Sequence, residues 1–246
     1  YRDAVVQLHG ITARGGDSFQ SGVIFKSNDN GSYVLTAAHF HRDQYDEVRI
    51  GISNDRWYEA RNIGYEKDFK KCDLSLFHID APNQDCIPIS RDAIRTGEEC
   101  TQIGHPRAQS EQRVRRGRLL SLWQGRLIEA SFSSVPGDSG APLINSKQEL
   151  IGIVSGYNRK QHSVSTPRGQ IFTFLKRFCP DGQCEVPRRT RRRRKKPVPT
   201  HPVADPIEGP IDPPLPPAPP HDHALIRKRL THLEDANENI MAQVRG

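Results

Sequence analysis

No stretch of this chain approaches the run of about 20 apolar residues that a membrane-crossing helix needs. Hydrophobic residues fill only 35% of its 246 positions. No signal-peptide pattern opens it and its first residue is Tyr1 rather than Met, so it reads as excised from something longer or as a partial sequence. Cysteine is sparse, with Cys72, Cys86, Cys100, Cys179 and Cys184 as the full set. An odd number of cysteines argues against a disulfide-dense secreted scaffold. Cys179 and Cys184 stand too far apart for a zinc knuckle, and no second pair completes a zinc site. The Cys179–Cys184 segment has a tight-turn composition that allows either a small disulfide or two free thiols, the latter favoured in a reducing compartment. Cys72 beside Asp73 is read as a small buried hydrophobe. His221-Asp222-His223 reads as a solvated turn, so neither a metal nor a cofactor is expected.

The apolar residues that are present are unevenly placed. Up to residue 184, short β-branched and aromatic runs alternate with Gly, Asn, Asp and Ser turns. Strands are predicted at 4–9, 22–26, 32–36, 47–52, 57–64, 73–79, 100–104, 113–122, 127–133, 142–145, 150–155 and 170–174. Such a series fits an all-β fold of two six-stranded antiparallel barrels, residues 1–90 and 91–184, joined near Pro88–Gly97.

Beyond Cys184 the composition changes. Residues 185–246 carry 12 Lys/Arg against 8 Asp/Glu, within a chain whose net charge is +7. Arg191, Arg192, Arg193, Arg194, Lys195 and Lys196 form a basic cluster, followed by proline-dense sequence up to Pro220. Neither part can bury enough apolar surface to offset the cost of ordering, so residues 185–222 are expected to be a disordered linker. The cluster suits RNA phosphates, and equally suits a solvated linker. The proline stretch is read as a stiff spacer. In residues 223–246, Ile226, Leu230, Leu233, Ile240 and Val244 recur at helical spacing, with Asn237 at the open seam position. This predicts an amphipathic helix that packs on a partner element or mediates self-association.

Three short segments carry chemistry. Val135-Pro136-Gly137-Asp138-Ser139-Gly140 holds a serine between Gly-Asp and Gly, flanked by apolar sequence. Thr36-Ala37-Ala38-His39 ends one apolar run on a histidine, and Asp73-Leu74-Ser75-Leu76 opens another with an aspartate. A serine hydroxyl is a weak nucleophile at neutral pH and needs an adjacent base. His39 can take its proton and return it to a leaving amine, while Asp73 holds the imidazole tautomer. The backbone N–H groups of Gly137 and Ser139 are placed to meet a developing oxyanion. Each segment alone has a plain structural explanation as a turn or strand end. The three in the order His39, Asp73, Ser139 do not.

These segments resemble the chymotrypsin-like serine protease superfamily over roughly residues 4–178, together with Ser21-Gly22-Val23-Ile24-Phe25 and Leu150-Ile151-Gly152-Ile153-Val154-Ser155-Gly156. The resemblance implies a triad in the cleft between the barrels and Ser155 as a partner of Asp73. It also implies a substrate-binding role for Ser133, Ser155, Gly156 and Tyr157. Two departures stand out. No Ile-Val-Gly-Gly-like terminus exists to pair with Asp138, and the usual disulfide beside the histidine is replaced by Ser21 and Phe40. Ser133 lacks the charge that would bind a basic P1 residue, and Val154 stands where many Glu- or Gln-specific viral relatives have histidine. A neutral P1 pocket, narrowed by Gln170, is therefore expected.

The protease fold without these devices, joined to a basic, proline-rich tail, resembles proteases of positive-strand RNA virus polyproteins of sobemovirus-like or astrovirus-like type. On that resemblance the expected function is a serine endopeptidase acting in the host cytoplasm, with its own polyprotein as a substrate in cis. Two alternatives stay open: an RNA-binding, capsid-like protein with a protease-fold domain, and a cellular intracellular trypsin-like protease.

Overall fold

The structure, a computed structural model, describes residues 2–179 apart from 53–55, 69–70 and 124. The expected linker and helix at 185–222 and 223–246 lie outside the described residues. Six strands close the first barrel: β1 (Val5–Ile11), β2 (Asp17–Asn28), β3 (Gly31–Thr36), β4 (Glu47–Ile52), β5 (Arg56–Tyr65) and β6 (Ser75–Ile79). Their order around the barrel is β1-β2-β3-β6-β5-β4. The second barrel contains β7 (Glu99–Gly104), β8 (Arg113–Trp123), β9 (Leu127–Ala130), β10 (Pro142–Asn145), β11 (Leu150–Tyr157) and β12 (Ser163–Pro167). It closes in the order β10-β11-β12-β9-β8-β7, the same topology once each barrel is numbered from its own first strand. Every ladder in both barrels is antiparallel. Closure leaves no sheet edge open to pair with another chain.

Barrel 1 is filled by Leu8, Ile24, Phe25, Leu35, Ile50, Leu76, Phe77 and Ile79, all buried. This cluster runs on through Ile103, Ile144 and Ile153 of the second barrel, so the two barrels share apolar contact. Cys100, Leu119, Ile128, Leu143 and Ile151 form a smaller core inside barrel 2.

Two expectations fail at the end of barrel 2. The strand predicted at 170–174 is a helix, α1 (Arg168–Phe178), and the strand that closes the barrel is β12. Ile171, Phe174 and Leu175 are the buried residues of α1, at spacings of three and one that only a helix can bring to one face. Their β-forming side chains suggested a strand because propensity was weighed above spacing. β12 escaped notice because its sequence, Ser-Val-Ser-Thr-Pro, is polar, although Ser163, Ser165 and Thr166 are all buried.

Cys72, Cys86 and Cys100 are free thiols, and Cys179 is disulfide-bonded. The expectation of free thiols near the chain's end is thereby corrected for Cys179. Burial pushes the thiols of Cys72 and Cys100 up to about 12, which makes both poor nucleophiles. No helix among the described residues is long and apolar enough to cross a membrane.

Candidate active site

Strand β3 delivers Ala37 and Ala38, both fully buried, and the chain then turns into a short 3-10 helix, Ala38–Asp43, that carries His39. Asp73 stands two residues before β6, the neighbour of β3 in the barrel. Its two carboxylate oxygens grip the same residue. Oδ1 accepts the His39 backbone N–H at 2.8 Å, and Oδ2 lies 2.8 Å from His39 Nδ1. A proton on Nδ1, shared with the carboxylate, leaves Nε2 as the basic nitrogen. Burial works to raise the Asp73 carboxyl, but the His39 imidazole and backbone N–H, with the Ser155 hydroxyl, hold it below the usual range. Ser155 Oγ also lies 3.1 Å from Thr166 Oγ1, so β12 braces the partner of Asp73.

The serine turn is pinned carbonyl by carbonyl. Pro136 O accepts from Arg107 N–H (2.7 Å), Gly137 O from Ser21 Oγ (2.7 Å), Asp138 O from Ala141 N–H (2.9 Å) and Ser139 O from Ser21 N–H (2.8 Å). Asp138 N–H and Gly140 N–H donate to Val135 O and Val154 O. The N–H groups of Gly137 and Ser139 have no acceptor among the described residues. In a trans peptide the N–H points opposite to the C=O. Tying Pro136 O to Arg107 therefore turns Gly137 N–H away from that loop. Two free donors on either side of Asp138 can hold an oxyanion.

Glycine is required at two positions in this turn. Gly137 has φ +94°, and a Cβ there would lie 2.5 Å from His105 O. Gly140 has φ +80°, and a Cβ would lie 2.0 Å from Ser21 O. Asp138, left without a partner in the sequence reading, has one: Arg115 on β8, with Nη1 to Oδ2 at 2.8 Å. Burial pushes the Asp138 carboxyl up, against the Val135 N–H and the Arg115 charge. The described hydrogen bonds include none between Ser139 Oγ and His39 Nε2. In unliganded sites that contact is commonly long and tightens with substrate.

Of the residues expected to bind substrate, Gly156 and Tyr157 lie half-buried on β11, and a Cβ at Gly156 would meet nothing within 4 Å. Ser133 is exposed. The buried hydroxyl belongs to Ser134, which donates to Gln102 Oε1 at 2.8 Å and lies 2.8 Å from Ser163 Oγ. Gln170 lies on α1, and its amide donates to Arg126 O at the turn between β8 and β9. Arg191 to Lys196 lie outside the described residues. Sequence reasoning missed Arg107, Arg115 and Thr166, and it took Ser21 only as a lost cysteine. Among the described residues no group of three or more His, Cys, Asp or Glu is disposed to hold a metal.

Paired antiparallel barrels, with a His–Asp pair on one and a Gly-Asp-Ser-Gly turn on the other, define a chymotrypsin-like serine protease fold. Residues 20–153 match the trypsin-like peptidase domain, and the chain belongs to that family. Among curated relatives it is 28% identical over 150 residues to the serine protease Do-like HtrB of Bacillus subtilis, covering 55% of this chain and 32% of that protein. It is 31% identical over 143 residues to the periplasmic serine endoprotease DegP of Escherichia coli, covering 54% and 29%. Protease Do-like 1, chloroplastic, of Arabidopsis thaliana matches at 27% over 139 residues, covering 51% and 30%. The chain thus spans about a third of the length of these relatives. Among solved structures, the serine endoprotease from Yersinia pestis superposes with a TM-score of 0.64 at 26% identity, covering 74% of this chain and 64% of that one. These relatives are bacterial and chloroplast proteins, so they lend nothing to the RNA-virus setting expected from the tail.

Proposed function

We propose that this chain is a serine endopeptidase that hydrolyses peptide bonds through an acyl-enzyme on Ser139. The observation that carries the reading is the two-point grip of Asp73 on His39, beside a serine turn whose free N–H groups are those of Gly137 and Ser139. Ser139 Oγ attacks the scissile carbonyl while His39 Nε2 takes its proton. The carbonyl oxygen, now negative, is met by the Gly137 and Ser139 N–H groups. His39 returns the proton to the leaving amine, and water then repeats the sequence to release the acid. Gly156 and Tyr157 on β11 offer extended backbone beside which a peptide can lie.

A cellular, Do-like protease is the setting we favour over a viral polyprotein. The named relatives include periplasmic and chloroplastic enzymes, and a disulfide at Cys179 suits a compartment more oxidising than the cytoplasm. The basic cluster Arg191–Lys196 adds RNA binding to this reading, and residues 223–246 add helix-mediated self-association. The test of the catalytic assignment is covalent. A fluorophosphonate probe is expected to label Ser139, Ser139→Ala to abolish labelling, and Asp73→Asn to lower kcat by about 10⁴-fold, the size of that change in a chymotrypsin-type triad. Labelling that persists in the alanine variant removes the assignment.

A further inference from the structure

Where the resemblance has a disulfide cysteine, this chain has Ser21, and the hydroxyl has been given other work. Ser21 is fully buried on β2, in the first barrel. Its Oγ donates to Gly137 O at 2.7 Å and accepts the His105 backbone N–H at 2.8 Å. Its own N–H donates to Ser139 O at 2.8 Å. One residue of barrel 1 thus holds the carbonyls on either side of Asp138, together with the loop that bears Arg107. Ser21 is itself held: its carbonyl accepts Thr36 Oγ1–H at 2.7 Å, and Thr36 Oγ1 accepts from Gln20 Nε2 at 2.6 Å. Gln20 Nε2 also reaches Ala37 O at 3.1 Å, two residues before His39. Gln20, Ser21 and Thr36 are all buried, so water cannot stand in for a lost partner.

Resting on the protease reading above, we infer that Ser21 is a positioning residue that sets the oxyanion turn of barrel 2 against the histidine-bearing segment of barrel 1. Glycine at 137 permits either orientation of its flanking peptides at little steric cost. Something outside the turn must therefore select one. Arg107 N–H selects the orientation of the Pro136–Gly137 peptide, and Ser21 Oγ that of Gly137–Asp138. Removing the hydroxyl leaves Gly137 O and the buried His105 N–H without this partner, and the Gly137–Asp138 peptide, which links the two donor-bearing peptides, is then tied only through Asp138 N–H to Val135 O. An oxyanion donor matters only in the transition state, so its misplacement lowers kcat and leaves KM nearly unchanged.

The experiment compares Ser21→Ala and Ser21→Cys with the full chain, reading kcat and KM on an unstructured protein substrate, fluorophosphonate labelling rate, and thermal unfolding. The expected result is a fall in kcat of at least tenfold in both, with KM within threefold and labelling slowed in step. Cysteine keeps the shape but is a weak donor, so it tests the hydrogen bond even if the alanine variant does not fold. Folded variants with full kcat and only a lower Tm overturn the inference, giving Ser21 a purely structural role. If the unaltered chain is not labelled at Ser139, the protease reading itself fails. Labelled wild type beside fully active variants removes only the inference about Ser21.

Discussion

Arg115→Met tests the electrostatics beneath the nucleophile. Asp138 is fully buried, the Arg115 side chain is 12% exposed, and their contact is 2.8 Å. A surface ion pair is worth about 0–1 kcal/mol. Breaking a buried pair by removing one partner costs about 3–5 kcal/mol, because the remaining charge is stranded. Here the stranded carboxylate keeps one strong donor, the Val135 N–H at 2.8 Å, which places the loss near 3 rather than 5 kcal/mol on that same scale. For a domain of this size a loss of about 3 kcal/mol lowers Tm by roughly 6–12 °C. Without arginine the folded-state pKa of Asp138 rises further above its unfolded value. The deficit is then present at neutral pH, and it shrinks as acid neutralises the carboxyl. Urea unfolding at pH 7 and pH 4 reads both effects. The double variant Arg115→Met/Asp138→Asn is expected to recover most of the loss, since it removes the stranded charge and leaves an acceptor for Val135. A loss below about 1 kcal/mol at pH 7, or no recovery in the double variant, refutes the buried-pair argument. If the argument holds, the turn draws its cation from within the barrel and has no need of a chain terminus.

Two further outcomes are expected. Glu129 on β9 lies 2.7 Å from His162 Nδ1 and accepts from Asn158 Nδ2 at 2.8 Å and Ser121 Oγ at 2.9 Å. Burial alone would raise its carboxyl, but these partners hold it at about 2. Its stabilisation is therefore full above about pH 4.5 and lost as pH falls towards 2. Glu129→Gln should cost about 1–3 kcal/mol at pH 7 and almost nothing near pH 2 by urea unfolding; an equal deficit at both refutes the assignment. Removing residues 185–246 takes away the basic cluster but no triad residue, oxyanion donor or cleft strand. Peptide cleavage should stay within a few-fold, while retention of single-stranded RNA falls sharply. In the full chain that retention should weaken with salt, at a log–log slope of about 0.7 per neutralised phosphate. Equal, salt-insensitive retention with and without the tail would remove the RNA reading.

The His39–Asp73 pair and the serine turn were legible because each sits in a short local pattern: an apolar run ending on His39, another opening on Asp73, and the glycines around Ser139. Most barrel strands were legible for the same reason, since alternating apolar residues show in any window of six. Illegible were the residues whose meaning depends on what the fold brings beside them. Ser21 meets Gly137 across 116 positions of chain, and Arg115 meets Asp138 only because β8 passes under the serine turn. β12 belongs to this class. Its Ser163 and Thr166 are polar, yet they are buried because Gln102, Ser134 and Ser155 supply the partners that water would otherwise provide.

The same cause separates Ser133 from Ser134. A register carried over by counting back from Ser139 lands on an exposed hydroxyl, and the buried network holds its neighbour. Hydrophobic periodicity finds faces that exclude water, and it assigns every polar residue to the outside. A site braced between two barrels inverts that rule, because its framework is made of polar groups that have been taken inside and paired. Buried polar residues in such a fold are where positioning residues should be sought. Ser21, Thr36, Gln20 and Gln102 are all of this kind, and none of them touches the reacting atoms.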